Sequence, residues 1–322
     1  MIKLERVTRI YATRVGTIAA VDDVSFEVEE GQICVLLGPS GCGKTTTLRM
    51  INRLVAPTSG KIYIGGRDTD STDPVQLRRG IGYVIQQIGL FPNMTVAQNI
   101  GVVPRLLGWD TERWRRRAEE LLALLALDPG QFLDRYPNEL SGGQAQRVGV
   151  ARALAVDPPV LLMDEPFAAL DPVNREAIQD EFLRMQQTLR KTILFVSHDI
   201  DEAVRMADRI AIFRAGKLVQ LAAPDDLLAR PADDFIASFV GHDRTLKRLR
   251  LIRAHDVMTP VSPEETSSVG PSVSVDDDLR HVATLFLEHA GDSLRCVDRE
   301  GRMVGRITRE AVADRLGGGG EP

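Results

Sequence analysis

Ile33-Cys34-Val35-Leu36-Leu37-Gly38-Pro39-Ser40-Gly41-Cys42-Gly43-Lys44-Thr45 is the stretch on which the fold turns. The unbroken apolar run from Ile33 to Leu37 leaves no polar face for solvent, which predicts a strand covered on both sides at the centre of a parallel sheet. The run that follows matches the pattern G-x-x-x-x-G-K-S/T at the junction of that strand with a predicted helix, KTTTLRMINRL. Glycines let backbone N–H groups curl around phosphate oxygens, and the helix start presents its positive end. In such a loop Lys44 would supply a point charge between the outer phosphates, and the Thr45 hydroxyl can ligate Mg²⁺.

Upstream, Ile2, Leu4 and Val7 and then Val24, Phe26 and Val28 alternate with polar residues, as half-buried antiparallel strands do. Downstream, PTSGKIYIGG reads as a turn and a short strand, and residues 97–140 turn helical. In TERWRRRAEELLALLALD, Trp114, Ala118, Leu121, Leu122 and Leu125 share one face. Arg113, Arg115, Arg116 and Arg117 then belong to a solvated face paired with nearby acids. PPVLLMDEP, KTILFVSHD and DRIAIFRAGKLVQ are short strands separated by helical stretches, the alternation of a mostly parallel sheet that closes near residue 213. Beyond a basic stretch, RTLKRLRLIR at 244–253, and a polar loop, SPEETSSVGPSVSVDDD, the pattern supports one small unit. It comprises a helix at 277–289, strands at 293–297 and 303–308, a last helix, and a frayed GGGGEP tail.

A chain of 322 residues, 43% hydrophobic and 26% charged, can bury a sizeable core, which excludes collagenous, disordered and disulfide-scaffold classes. The net charge of −5 is evenly spread, residues 241–322 holding 12 of 40 basic and 14 of 45 acidic side chains, so no nucleic-acid arm and no nucleic-acid partner is expected. Cys34, Cys42 and Cys296 are odd in number and scattered, which points to a reducing compartment, the cytoplasm. Cys34 reads as strand filler and Cys42 as a small residue in the loop. The longest apolar candidate, Leu121–Leu127, falls far short of the roughly 18 residues that span a bilayer, and MIKLERVTRI lacks the apolar core of a signal peptide. Any membrane role then comes through a partner.

The strand Val160-Leu-Leu-Met-Asp164 ends in Asp164-Glu165, at the sheet edge where parallel sheets gather ligand-binding groups. Asp164 would hold Mg²⁺ through its water shell and Glu165 would polarise the water that attacks a γ-phosphate. Between this pair and the glycine-rich loop lies Leu140-Ser141-Gly142-Gly143-Gln144. Together the three elements closely resemble the ATP-binding cassette of ABC proteins, whose signature is LSGGQ. The resemblance extends to Gln86 after GYVIQ (the Q-loop), Asp171 in AALD (the D-loop), His198 in FVSH (the switch histidine) and Tyr11 (the adenine-stacking aromatic).

The fold implied is a P-loop NTPase cassette, with a RecA-like mostly parallel sheet, an antiparallel β subdomain and a helical subdomain at about 88–158, over residues 1–240. The resemblance carries nucleotide binding to Tyr11, to Gly38, Pro39, Ser40, Gly41, Cys42, Gly43, Lys44, Thr45 and Thr46, and to Ser141, Gly142, Gly143, Gln144 and Asp171. Catalysis falls to Glu165, His198, Lys44 and Gln86, and Mg²⁺ to Thr45, Gln86 and Asp164. Ser141, Gly142 and Gly143 resemble a second anion-binding helix start, whose phosphate in the family belongs to ATP on the opposite subunit. A head-to-tail homodimer sandwiching two ATP molecules is therefore implied.

INRLVAPTSGKI, RRGIGYVIQQIGLFPNMTVAQNI and DRYPNELSGGQAQRVGVARALA resemble the ATPase subunits of bacterial osmoprotectant importers, which carry glycine betaine, choline or carnitine. That implies a peripheral place on the cytoplasmic face of the membrane, a permease contacted near the Q-loop, and a substrate-binding protein acting indirectly. Residues 255–316, starting with HDVMTP, resemble a single cystathionine β-synthase (CBS) type repeat, an α+β unit, where such ATPases commonly carry two. Either regulation or dimerisation alone suits it. Residues 241–254 are read as a basic linker, in which Arg244, Lys247, Arg248, Arg250 and Arg253 form either a solvated helix or a contact for anionic lipid. Two other functions compete with import. A soluble ABC ATPase would show inserted coiled coils or tandem cassettes, and a CBS-type nucleotide sensor would have lost catalytic positions; neither feature occurs.

Overall fold

A computed structural model of the chain describes residues 1–14, 16–86, 89–168, 170–261, 270–289 and 291–317. Part of the polar loop, 262–269, and the expected frayed tail beyond residue 317 lie outside the described residues. The chain forms two compact units, Met1–Ala222 and Ala223–Pro322.

In the first unit, β1 (Ile2–Thr13) and β2 (Gly16–Val28) pair antiparallel, and β4 (Ser59–Ile64) and β5 (Arg67–Asp68) complete a four-stranded sheet in the order β2-β1-β4-β5. The second sheet contains β3 (Ile33–Leu37), β6 (Ile81–Val84), β7 (Val160–Asp164), β8 (Thr192–Val196), β9 (Arg209–Arg214) and β10 (Lys217–Ala222). Its order is β10-β9-β3-β8-β7-β6, parallel throughout except for the β9–β10 hairpin. Every residue of β3, β7 and β8 is buried, as the unbroken apolar runs require.

Helix α1 (Lys44–Ile51) follows β3 and joins the two sheets into one core. Its Leu48, Met50 and Ile51 lie in the same apolar cluster as Leu4, Val7 and Phe26 of the antiparallel sheet and Leu36, Leu162 and Val196 of the parallel one. Phe26 meets Phe213 edge to face, with ring centroids 6.5 Å apart.

The helical stretch contains α2 (Pro74–Arg79), α3 (Val96–Ile100), α4 (Val102–Leu106), α5 (Thr111–Leu124), α6 (Pro129–Phe132) and α7 (Gly142–Leu154). Helix α5 buries Trp114, Ala118, Leu121 and Leu122, and its basic face is paired as expected. Arg115 reaches Asp134 at 3.0 Å, Arg116 reaches Glu112 at 2.6 Å, Arg117 reaches Glu120 at 3.2 Å, and Arg113 lies over the Trp109 ring. Helices α8 (Pro172–Leu189) and α9 (Ile200–Met206) complete the unit, Phe167 packing edge to face on both Phe182 of α8 and Phe195 of β8.

The second unit begins with α10 (Pro224–Ala229), α11 (Asp234–Val240) and α12 (Arg244–Arg248), and so starts before the end of the 1–240 segment expected for the cassette. The expected basic linker is not a uniformly solvated helix. Lys247 and Arg248 are buried, Lys247 against Asp243 at 2.7 Å and Arg248 in a two-pronged pair with Asp225 of α10, at 2.7 and 3.4 Å. Two of the five cations offered for a lipid contact are thus committed to carboxylates of the same unit, because a cation removed from water needs a matched acceptor. The remainder is a small α+β layer, with β11 (Thr259–Pro260), β12 (Ser272–Ser274), β13 (Ser293–Val297) and β14 (Met303–Thr308) in the order β11-β14-β13-β12. Helices α13 (Leu279–Glu288) and α14 (Arg309–Gly317) contribute Val282, Phe286 and Val312 to its own core with Leu294, Cys296 and Ile307.

Leu48 carries no exposed surface and sits between the two sheets of the first unit, directly after the glycine-rich loop. Leu48→Ala is expected to cost about 2–5 kcal/mol of stability, read as a lower urea midpoint for the first unit's transition.

Candidate active site

The loop between β3 and α1 is shaped by what it touches. Gly38 has φ 145°, and a Cβ there would lie 2.2 Å from the Phe213 carbonyl oxygen. Gly43, φ 107°, would bring a Cβ to 2.4 Å from the Ala20 carbonyl oxygen. Only glycine gives both the backbone conformation and the approach. The loop is further tied down by the Gly216 N–H donating to the Cys42 carbonyl at 3.1 Å.

Lys44 is buried, and its Nζ donates to the carbonyls of Gly38 at 2.6 Å and Pro39 at 3.0 Å. Ser40 to Thr46 surround an open pocket of about 550 Å³ that Ala20, Gln86, Glu165 and His198 complete. The Thr45 hydroxyl donates to Asp164 Oδ1 at 3.1 Å. Asp164 closes β7, is buried, and has its carboxyl raised above the usual range, chiefly by loss of water and against the pull of the Thr45 bond, Arg49 and Lys44. Glu165 is in the left-handed region, φ 48°, with its N–H donating to the Val196 carbonyl at 3.0 Å. That strained turn aims its carboxylate into the pocket. There Gln86 Nε2 donates to Glu165 Oε2 at 2.8 Å and His198 Nδ1 stands 3.6 Å from the same oxygen.

Ser141, Gly142, Gly143 and Asp171 are not in this pocket. They line a second one, of about 490 Å³, with Arg147, Ala177, Ile178 and Glu181. Ser141 caps α7, its Oγ accepting from Gln144 N–H at 3.3 Å, and the Gln144 side chain returns to the Ser141 N–H at 2.9 Å. This reciprocal cap engages the Gln144 amide oxygen, while the N-terminal end of α7 opens into the pocket. Tyr11 lies on β1 outside the residues that line either pocket, partly exposed, with the Arg9 guanidinium 4.4 Å over its ring.

Sequence reasoning missed what stands behind His198. Glu202 is buried, accepts a short hydrogen bond from the Ser197 hydroxyl, and accepts from Gln179 Nε2 at 3.1 Å. In the string SHDIDE it reads as an ordinary acid in the first turn of a helix, and only packing shows that water is excluded from it. Ala20 gave no signal at all, since its backbone carbonyl beside Gly43, and not its side chain, is what meets the loop.

A strand-loop-helix phosphate cradle with a carboxylate at the end of a second parallel strand of the same sheet, one strand removed, defines a nucleoside-triphosphatase. The chain belongs to the ATP-binding proteins of the ABC transporter family. The family model "ABC transporter" matches residues 21–168. The chain is 55% identical to the osmoprotectant import ATP-binding protein OsmV of Salmonella typhimurium, over 98% of this chain and 81% of that protein. It is 49% identical to the glycine betaine/carnitine/choline transport ATP-binding protein OpuCA of Bacillus subtilis, over 97% and 79%. Against the glycine betaine uptake system ATP-binding protein YehX of Escherichia coli it is 45% identical, over 95% and 97%. Among solved structures, a dimeric post-hydrolysis state of the ATP-binding cassette MJ0796 bound to ADP and Pi superposes with a TM-score of 0.63 at 36% identity, covering 70% of this chain and 99% of that one. The protein is an ABC-type ATPase.

Because burial raises the Asp164 carboxyl, the folded protein holds that proton more tightly than the unfolded chain. This group's contribution to stability is therefore favourable in acid and is lost as pH rises through the raised value. Asp164→Asn, which keeps an acceptor for Thr45, is expected to raise the Tm of the nucleotide-free protein at neutral pH and flatten its pH dependence, as scanning calorimetry from pH 4 to 8 would show.

Proposed function

We propose that this chain is the ATP-hydrolysing subunit that energises import of quaternary ammonium osmoprotectants such as glycine betaine, choline or carnitine. The observation that carries the reading is the convergence of Lys44, Thr45, Gln86, Glu165 and His198 on one open pocket at the glycine-rich loop. The named relatives, matched along almost the whole chain, supply the transported class. A soluble ATPase or a nucleotide sensor finds no such support. Among the described residues no helix is long and apolar enough to cross a membrane. In keeping with the family, coupling is to a permease through a surface contact at the cytoplasmic face. Ile85 and Phe91, large, apolar and exposed on either side of the Q-loop, suit that contact; Gln87 and Ile88 between them lie outside the described residues.

Within the pocket Lys44 is already ordered by two carbonyls, so meeting phosphate oxygens costs little further side-chain entropy. Thr45 and Asp164 fit Mg²⁺: a hydroxyl and a buried carboxylate 3.1 Å apart form a hard-oxygen pair, and the carboxylate has lost water without a full cationic replacement. When bound, Mg²⁺ neutralises charge on the outer phosphates. Glu165 accepts the proton of the attacking water as the water oxygen bonds to the γ-phosphorus and the bond from that phosphorus to the β,γ-bridging oxygen breaks, releasing ADP; Gln86 orients the Glu165 carboxylate, and His198 offers a donor to the γ-phosphate oxygens. Ser141, Gly142, Gly143 and Asp171, in their separate pocket, serve the ATP held by a second copy, so that the working unit is a dimer. Tyr11 stacks on adenine once Arg9 yields its face. Residues 255–316 act as a single CBS-like repeat.

Glu165→Gln is expected to lower kcat by about 10²-fold or more and to trap an ATP-bound dimer on size-exclusion chromatography. Retained steady-state hydrolysis would overturn the role of Glu165, and a monomer in saturating ATP would overturn the shared site.

A further inference from the structure

Directly behind the pair Glu165 and His198 lies a polar network that the hydrolytic scheme leaves unused. Ser197, the last residue before His198, is buried, and its hydroxyl is shared: it donates to Glu202 Oε2 and accepts from the Asp199 N–H at 3.0 Å. The other carboxylate oxygen of Glu202 accepts from Gln179 on α8 at 3.1 Å. A cavity of only about 10 Å³ separates the network from Glu165 and His198, no more than one water can occupy. Two further ties join the same pieces. Arg175 of α8 pairs with Asp199 at 3.4 Å, and Arg205 of α9 pairs with Asp180 of α8 at 2.7 Å.

Helix α8 has a second duty. Its Ala177, Ile178 and Glu181 line the pocket that contains the signature residues, while Arg175 and Gln179 turn toward the histidine turn. One rigid helix thus touches the own-site switch on one face and the half-site offered to a second copy on another.

We propose that Glu202 is a positioning residue for hydrolysis: its buried carboxylate clamps Ser197, fixes the turn that presents His198, and fastens that turn through Gln179 to α8. A buried carboxylate with only neutral donors costs stability relative to an apolar side chain filling the same space, and the residue therefore serves geometry rather than stability. Loss of water raises its carboxyl above the usual range, in keeping with that cost. The proposal rests on the reading of His198 as a γ-phosphate contact.

The test is ATP turnover of the full chain, in steady state and in single turnovers with excess protein, alongside ADP binding as a measure of the intact phosphate loop. Glu202→Ala is expected to lower kcat about 10–100-fold, with KM for ATP moving less than about threefold and ADP affinity unchanged, because a misplaced group costs rate rather than binding. In a His198→Ala background, adding Glu202→Ala should cost less than about twofold, since both changes remove one function. Glu202→Gln, which keeps an acceptor for Gln179 and gains a donor toward Ser197, should recover most of the lost rate. Ser197→Ala breaks the same link without emptying the buried site and serves if Glu202→Ala fails to fold. Unchanged kcat in both Glu202→Ala and Ser197→Ala, or a full additive loss in the His198→Ala background, overturns the proposal while leaving the hydrolytic scheme intact. Wild-type turnover in His198→Ala overturns that scheme, and the positioning role with it.

Discussion

The closure of the loop from Gly38 to Gly43 against two carbonyl oxygens, those of Phe213 and Ala20, is the constraint on which the structure depends. It can form only if β9 runs beside β3 and if β2 of the other sheet reaches the same point, so both sheets must be assembled before the phosphate cradle exists. Helix α1 makes that assembly favourable by burying Leu48, Met50 and Ile51 between them. The same helix begins with Lys44 and Thr45. Apolar burial and nucleotide chemistry are therefore two ends of one element, and the energy of the core is what keeps an ammonium group aimed by backbone carbonyls.

A second theme is division. Lys44, Thr45, Gln86, Glu165 and His198 line one pocket and the signature residues line another, and α8 reaches from the second to the turn that carries His198. On the dimeric reading a single copy is chemically incomplete, and an element that reaches both the signature pocket and the histidine turn takes a part in timing. The arrangement of Ser197, Glu202 and Gln179 suits that part, because hydrogen bonds in a dry interior hold an angle more firmly than exposed ones do.

Much of this was legible beforehand. The apolar runs at Ile33–Leu37, Val160–Met163 and Ile193–Val196 marked strands buried on both faces, since a sheet covered on both sides leaves few positions for a polar residue. In the second unit, the strands at 293–297 and 303–308 were readable to the residue because period-two alternation and the DREG turn agree. What escaped were features that depend on partners far away in the chain. Arg248 in a basic string looks solvated until Asp225, in another helix, is brought against it. Glu202 looks like a surface acid until α8 covers it.

By itself the sequence determined the class of fold, the phosphate-binding loop and the identity of the acidic pair at the end of β7, because each is written in contiguous residues whose spacing is imposed by local backbone geometry. Only the tertiary structure decided which side chains share a pocket. It set Gln86 and His198 on the same oxygen of Glu165, moved the signature and Asp171 to a separate site, and made Glu202 a buried clamp. The physical reason is that burial and hydrogen-bond partnership are properties of packed neighbours, and those neighbours lie far apart along the chain, 79 residues for Gln86 and Glu165 and 119 for Thr45 and Asp164.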